Sequence, residues 1–213
     1  MTVGGSQAGH DAYVLVRDNL WIGGNESNNG GPGTVRITDG GTVEVEDTTR
    51  LYLGDTLLIE PGGRLTASTL HDTDGGDVVI EGRLEFEHYL GTLENADGGI
   101  VTPALIADGA TAGAFVQTNG TLEIAINGAE DDEFGRVTTT GGIIVGGTLD
   151  VDVDLGVDLD GETLVILDGV SVLGEFATVN GPENMTVAYV DGQVRLVFND
   201  AVCPGDIDGN GVV

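Results

Sequence analysis

The chain has 213 residues, with 36 acidic side chains against 7 basic ones, all of them arginine, and a formal net charge of −29. Contact with nucleic-acid phosphates needs clustered cations, so this composition excludes a nucleic-acid partner. The single cysteine, Cys203, excludes a disulfide-bonded scaffold, and no apolar run reaches the roughly 20 residues that a transmembrane segment needs.

Residues 1–12 are polar and rich in glycine, and they lack the apolar core of a secretory signal, so residues 1–19 are assigned to a separate N-terminal segment. We therefore expect a polar N-terminal cap or leader here, in a chain whose signal was removed or which is a piece of a longer gene. The apolar share of 40% is nevertheless enough for a folded core, because Val, Leu and Ile occur in short regular clusters.

From residue 20 to residue 199 a short unit recurs, in which glycine and a spacer precede a run that begins with Val, Leu or Ile. We call the first apolar residues of these runs the anchors. Their spacings are 22, 19, 17, 21 and 27 residues, which indicates a repeat architecture with a period of about 20 residues. The anchors are Val43, Leu65, Leu84, Val101, Leu122 and Leu149.

Apolar and polar residues alternate within each unit, with the period of two that a half-buried strand requires. The segment Thr148–Asp154 illustrates the pattern, because it predicts that Val151 points inward and Asp152 outward. Only residues 103–117 have a weakly helical composition, and their glycines argue against a helix.

Short strands at this period predict an all-β fold, a β-solenoid with coils of about 20 residues that stack on one another. One coil cannot bury its apolar face alone, but stacked coils share a continuous interior. Glycines suit the corners, where the backbone turns with positive φ. The alternative is a β-sandwich, which also has short strands separated by turns.

The repeat resembles the Gly-Thr-Leu repeats of autotransporter passenger domains and of large secreted β-helix proteins of planctomycete-like bacteria. Gly33–Ile37 and Gly40–Val45 carry this resemblance first. The resemblance implies a right-handed parallel β-helix that is secreted or on the cell surface and has no catalytic activity. A second block, residues 113–199, is similar in its order of motifs to the closing segment of such helices: Gly113–Gln117, Gly120–Gly128, Gly146–Val151, Gly161–Leu167 and Gly174–Phe176.

Residues 200–213 form a linker and a tail that resembles the start of a type I dockerin repeat. In such a calcium loop, oxygen ligands occupy positions 1, 3 and 5, which Asp206, Asp208 and Asn210 would fill. Val213 is only position 8, and the carboxylate of position 12 is missing, so we expect weak calcium binding or none. The resemblance implies a cohesin-like or cell-surface partner; a solvated acidic tail is the alternative.

Three clusters of carboxylates and a few aromatic residues are the other candidates for chemistry. Each acidic cluster is typical of a solvated loop or of the outer face of a strand, and the histidines share no metal-ligand spacing. Trp21 and Tyr52 are cap or core residues, or they stack on a sugar ring. The clusters are Asp72–Asp74, Glu130–Glu133 and Asp150–Asp160, and the histidines are His10, His71 and His88.

The sequence favours a non-catalytic extracellular module that has a structural or adhesive role and is tethered through its calcium-dependent tail. No residue is assigned to catalysis or to an organic cofactor, and calcium is the one cofactor expected. Polysaccharide is the expected ligand if the module adheres. The alternative is a carbohydrate-active enzyme, a lyase or glycosidase, or a carbohydrate-binding module, because β-helix scaffolds also carry such proteins.

Overall fold

The computed structural model describes residues 1–4, 12–25, 28–72, 75–96 and 98–199. These residues form an all-β fold, as the sequence predicts, and the described chain contains no helix. The strands are β1 Thr2–Val3, β2 Ala12–Val16, β3 Leu20–Ile22, β4 Gly24–Asn25, β5 Asn28–Asn29, β6 Thr34–Ile37, β7 Gly41–Leu51, β8 Thr56–Ile59, β9 Arg64–His71, β10 Asp77–Ile80, β11 Arg83–Asn95, β12 Ile100–Pro103, β13 Ala110–Gln117, β14 Thr121–Ile126, β15 Val137–Thr139, β16 Gly142–Val145, β17 Thr148–Val153, β18 Thr163–Asp168, β19 Ser171–Gly174, β20 Thr178–Asn180, β21 Met185–Val190 and β22 Gln193–Phe198.

The strands pair in parallel with strands of the preceding and following repeat. We name three sets of paired strands by their order within a repeat. Ladder A contains β1, β6, β8 and β10. Ladder B contains β2, residues 42–45 of β7, 64–67 of β9 and 83–86 of β11, then β12, β14, β17 and β20. Ladder C contains β3, residues 48–51 of β7, 69–71 of β9, 88–90 of β11 and 110–112 of β13, then β15 and β18.

The later repeats place a fourth set of parallel strands between ladder C and ladder B in chain order. We call it ladder D; it contains residues 92–95 of β11, 114–117 of β13, β16 and β19. The region with weakly helical composition, residues 103–117, contains no helix, and its second half forms strand β13.

The core is a set of stacked columns of inward side chains. In ladder B each anchor is the register partner of the next, from Val43 through Leu149. All six anchors are 0% exposed. The alternation also places Val151 inside, at 8% exposure, while Asp152 is exposed. The 20-residue period of the sequence is therefore the stacking period of the core.

The C-terminal end of the described chain departs from parallel pairing. Strand β22 pairs antiparallel with β18, and β21 then pairs antiparallel with β22. Tyr189 and Met185 of β21 pack against the core, and the Tyr189 hydroxyl accepts a hydrogen bond from the Phe176 backbone N–H at 2.9 Å. This hairpin covers the last repeat within the predicted closing segment.

The predicted N-terminal cap or leader, residues 1–19, contains two strands that pair with later ones. Strand pairing begins inside the range 1–19, since β1 pairs with β6 and β2 pairs with β7. The predicted linker and tail, residues 200–213, lie outside the described residues. No helix in the described part of the chain is long and apolar enough to span a membrane.

Candidate functional site

The three predicted calcium ligands, Asp206, Asp208 and Asn210, lie outside the described residues. The part of the chain that the structure describes contains no group of three or more His, Cys, Asp or Glu side chains that could hold a metal ion. The candidate sites on the described residues are therefore the outer faces of the ladders.

The outer face of ladder B, which we call the acidic face, carries most of the outward carboxylates of the sheet. Inward and outward side chains alternate along each strand, so the pattern that buries the anchors also points the intervening residues to solvent. The register then stacks outward residues of successive repeats side by side. The carboxylates on this face, including two that directly follow residues 42–45 and 83–86, are Glu44, Glu46, Glu85, Glu87, Glu123, Asp150 and Asp152.

Two arginines connect the repeats across this face. Arg64 donates to the Glu85 carboxylate at 2.7 Å. Arg83 forms a bidentate pair with Glu123, at 2.5 and 2.9 Å, and also donates to the Thr102 hydroxyl at 3.0 Å. Because Thr102 belongs to the strand between β11 and β14, the Arg83 side chain spans three neighbouring strands.

The Arg83–Glu123 pair shifts the protonation equilibria of both groups. The Arg83 guanidinium lowers the pKa of Glu123 through its hydrogen bonds, and Glu123 in turn raises the pKa of Arg83. Both side chains are about 30% exposed, 29% for Arg83 and 30% for Glu123. The pair is therefore charged at neutral pH, and solvent weakens its contribution to stability.

Two depressions lie along this face over β9, β11 and β12. The first has a volume of about 470 Å³ and is bordered by Arg64, Arg83 and the glycine corners between ladders A and B. The second, of about 300 Å³, is lined by Ser68, Glu87 and Leu105 among others. Together they form a shallow surface in which polar and apolar side chains are mixed, and the second depression is mainly apolar. The shape of this surface suits an extended ligand.

The carboxylates of this surface already accept hydrogen bonds from neighbouring repeats. Glu85 accepts from Arg64 and, at 3.3 Å, from the Thr66 hydroxyl, while Glu87 accepts from Ser68 at 2.6 Å. Glu123 accepts from Arg83. These contacts orient the side chains and lock the strands together, so the arrangement is suited to binding more than to proton transfer.

The predicted acidic clusters are separate from one another in the structure. The half-buried Asp72 accepts a hydrogen bond from the Tyr89 hydroxyl at 2.7 Å, and burial raises the pKa of this carboxyl. Asp131 pairs with Arg136 at 3.0 Å in the loop before β15. Asp150 accepts from Asn180 at 2.5 Å on the acidic face. Asp131 and Asp150 thus have the roles that a loop and an outer strand face imply, whereas Asp72 is half-buried; Asp74 lies outside the described residues.

His71, His88 and Trp21 lie on the outer face of ladder C. His88 points outward from β11, with its Nδ1 atom 3.0 Å from the Thr111 hydroxyl. Trp21 is partly exposed and is the register partner of Arg50, whose guanidinium carbon lies 5.3 Å from the centroid of the Tyr52 ring. Trp21 and Tyr52 thus belong to a surface, not to the interior. His10 lies outside the described residues.

Buried polar side chains are the structural feature that the sequence analysis missed. Asn95 and Gln117 are 0% exposed, and Asp55 is 1% exposed. Asp55 accepts hydrogen bonds from the backbone N–H groups of Gly33 and Tyr52, at 2.7 and 2.8 Å. The sequence feature that could have indicated these buried residues is an amide or carboxylate close to a glycine corner. At a corner the backbone N–H and C=O groups have no hydrogen-bond partner in a neighbouring strand, so a side chain can supply one.

Comparison with known proteins leaves the family open, since no protein-family model and no curated protein matches the chain. The functional conclusion therefore rests on the strands, faces and contacts described above.

Proposed function

We propose that the chain is a non-catalytic extracellular module with a structural or adhesive role, built as a right-handed parallel β-helix. The observation that carries this proposal is the unbroken column of register-paired anchors beneath an outer face of ion-paired side chains. A rigid sheet with one continuous core and a polar exterior is suited to spacing and to presenting a binding surface.

The parallel register supports the β-helix over the β-sandwich. Among the described strands, antiparallel pairing is confined to β4 with β5 and to the β18, β22 and β21 group, with one isolated bridge elsewhere. A β-sandwich is built from antiparallel sheets, which need hairpins and Greek-key connections instead. Parallel partners about 20 residues apart are what coil-on-coil stacking produces.

The extracellular location is supported by composition and by the resemblance to secreted repeat proteins. An acidic surface with arginine and no lysine suits a salty or calcium-containing exterior, since high net charge keeps a protein soluble. In this proposal the tail tethers the module, with calcium held by Asp206, Asp208 and Asn210 and a cohesin-like or cell-surface component as partner.

The adhesive role is tested by co-sedimentation with insoluble cellulose, chitin, xylan and bacterial cell walls. We expect sedimentation with at least one of these materials and no release of reducing ends during prolonged incubation with calcium. Binding to none of them would contradict adhesion and leave the structural role alone.

The tethering role is tested by calorimetric titration of the chain with calcium chloride. We expect weak heats that the double variant Asp206→Asn, Asp208→Asn abolishes. The matched double variant Asp158→Asn, Asp160→Asn removes the same charge from an exposed acidic stretch of the described chain and should leave the titration unchanged. Equal titrations for all three proteins would contradict a calcium site in the tail.

A carbohydrate-active enzyme is the second candidate, favoured by the two depressions beside Arg64, Arg83 and Glu87. Polysaccharide cleavage in the presence of calcium would support it. In that case Glu87→Gln and Arg83→Ala should abolish cleavage, whereas Glu162→Gln, at an exposed position away from this face, should not. Absence of cleavage across neutral and acidic polysaccharides favours the non-catalytic module.

A further inference from the structure

We propose that the outer face of ladder C binds a neutral polysaccharide. The inference rests on the adhesive role proposed above and names the face and the ligand that this role would use. It is carried by a row of aromatic, cationic and apolar side chains that the strand register brings together beside a row of hydroxyl groups.

The first row crosses four neighbouring strands. Trp21 of β3 is the register partner of Arg50 of β7, which pairs with His71 of β9, which pairs with Leu90 of β11. The residues on either side of Arg50, Thr49 and Leu51, are both 0% exposed, so the alternation directs this row outward. At a strand spacing of about 4.8 Å, the four positions extend over about 14 Å.

The second row runs beside the first and consists mainly of threonines. Its members are register partners across five strands: Thr48, Thr69, His88, Thr111 and Thr138. Each hydroxyl can donate one hydrogen bond and accept others, as sugar hydroxyls do. The imidazole of His88 contacts the hydroxyl of Thr111 at 3.0 Å, so polar groups along this row are already within mutual reach.

Charge separates this face from the acidic face. Neither row contains a carboxylate over the described strands β3 to β15, although the chain has a net charge of −29. The second row meets its first carboxylate at Asp168, the register partner of Thr138, and Asp47 lies at the corner before Thr48. The in-register neighbours of Arg50 within the first row are Trp21 and His71, neither of which carries a carboxylate.

These features together match a sugar chain. An indole ring provides a broad apolar surface with a polar edge, which suits stacking on a pyranose ring. Arg50 and the threonines supply hydrogen-bond donors and acceptors for hydroxyl groups. The ligand is neutral because a polyanion would be repelled by the net charge of the chain, which the charge of Arg50 is too small to offset.

Fluorescence tests the proposal directly, because Trp21 is the only tryptophan of the chain and reports on this face alone. The chain is titrated with soluble mixed-linkage β-glucan, xyloglucan and galactomannan, and with polygalacturonate as the polyanion. We expect a saturable change in tryptophan emission with at least one neutral polysaccharide, and an affinity that is the same at 50 and 500 mM salt.

Matched variants separate the two faces in affinity electrophoresis. Trp21→Ala and Arg50→Ala should each weaken retardation by the neutral polysaccharide about tenfold, the loss expected for one well-packed aromatic or charged contact. Tyr13→Ala and Arg64→Ala make comparable changes on the acidic face and should leave retardation unchanged. Circular dichroism spectra establish whether the variants fold. If Trp21→Ala does not fold, the fluorescence titration of the unaltered chain decides whether this face binds the polysaccharide.

Each other outcome overturns the proposal. Binding of polygalacturonate alone would contradict a neutral ligand. Retardation lost in Tyr13→Ala or Arg64→Ala but kept in Trp21→Ala would place binding on the acidic face, and the adhesive role would stand without this site. A chain that sediments with cell walls but shows no fluorescence change with any polysaccharide would refute this face while the adhesive role survives.

Discussion

The side-chain amide of Asn95 donates a hydrogen bond to the side-chain carbonyl of Gln117 across 3.4 Å, and both residues are completely buried. The Asn95 amide also donates to the backbone carbonyls of Gly99 and Thr121. The side-chain amide of Gln117 donates in the same way to the next repeat, to the backbone carbonyls of Gly146 and Thr148 at 3.1 and 3.0 Å. Two stacked amides thus satisfy the backbone where the chain turns from ladder D into ladder B.

Replacement of Gln117 by leucine should therefore destabilise the protein strongly. The variant keeps the volume but leaves two partly buried carbonyl groups without these donors, so we expect a loss of about 2–4 kcal/mol. The measurement is the free energy of unfolding from urea denaturation. Asn119→Leu, at an exposed corner two residues away, is the matched control and should change stability by less than about 0.5 kcal/mol. Similar losses for both variants would contradict the structural role of the amide pair.

The sequence predicted the core better than the corners and the surfaces. The anchors follow from the repeat of about 20 residues, and the orientation of Val151 follows from the alternation of apolar and polar residues within a strand. Both patterns can be read in the sequence because burial selects apolar residues at the inward positions. The roles of Asn95 and Gln117 could not be derived in this way, since a buried amide and a solvated one look alike in a sequence. The positions of Trp21 and Arg50 depend on register across repeats, which variable corner lengths conceal.

The role of the corner glycines was also predicted only in part from the sequence. Positive φ was predicted for corner glycines in general, and Gly98 has a φ of 87°. Its neighbour Gly99 is needed for a different reason, because a Cβ atom there would lie 2.3 Å from the carbonyl oxygen of Ile80. The paired glycines of a repeat therefore combine one position of unusual backbone conformation with one of close packing between neighbouring repeats.

This division of roles predicts unequal costs for two alanine substitutions. Gly98→Ala places a Cβ atom in open space and should cost only the strain of positive φ, about 1 kcal/mol. Gly99→Ala forces the neighbouring repeats apart and should cost about 2–3 kcal/mol. Urea midpoints of the two variants and the parent provide the comparison. A larger loss for Gly98→Ala would show that backbone conformation, not the spacing between repeats, determines the stability of this corner.

The Arg83–Glu123 pair predicts a dependence of stability on pH. Its hydrogen bonds lower the pKa of Glu123 from its usual value of 4.5, so the folded state binds protons less readily than the unfolded state. The stabilisation is complete above the unfolded pKa and is lost as pH falls through the lower pKa of the folded state. Because both side chains are partly exposed, we expect about 0.5 kcal/mol at pH 7.

Thermal melts between pH 7 and pH 2.5 test this expectation. Glu123→Gln should melt below the parent at pH 7 and converge with it at the acidic end. The exposed Glu162→Gln should follow the parent throughout the range. A constant difference between Glu123→Gln and the parent at every pH would mean that the variant disturbs packing and not an ion pair.

The alternation on β17 gives the most direct test of register. Val151 and Asp152 are adjacent in the chain, yet one side chain is buried against Ile124 of the neighbouring strand and the other is exposed. Val151→Asp places a carboxylate in the core, so we expect a loss of about 3–5 kcal/mol and unfolding of the neighbouring repeats. Asp152→Asn removes a solvated charge and should shift the melting temperature by no more than a degree or two, since the acidic surface loses one of many repulsive charges.

Hydrogen exchange of β14, β17 and β20 in Val151→Asp would localise the damage, because strands that share a column of inward side chains should lose protection together. Equal tolerance of both substitutions would refute the assigned register, and with it the column of anchors on which the proposed β-helix depends.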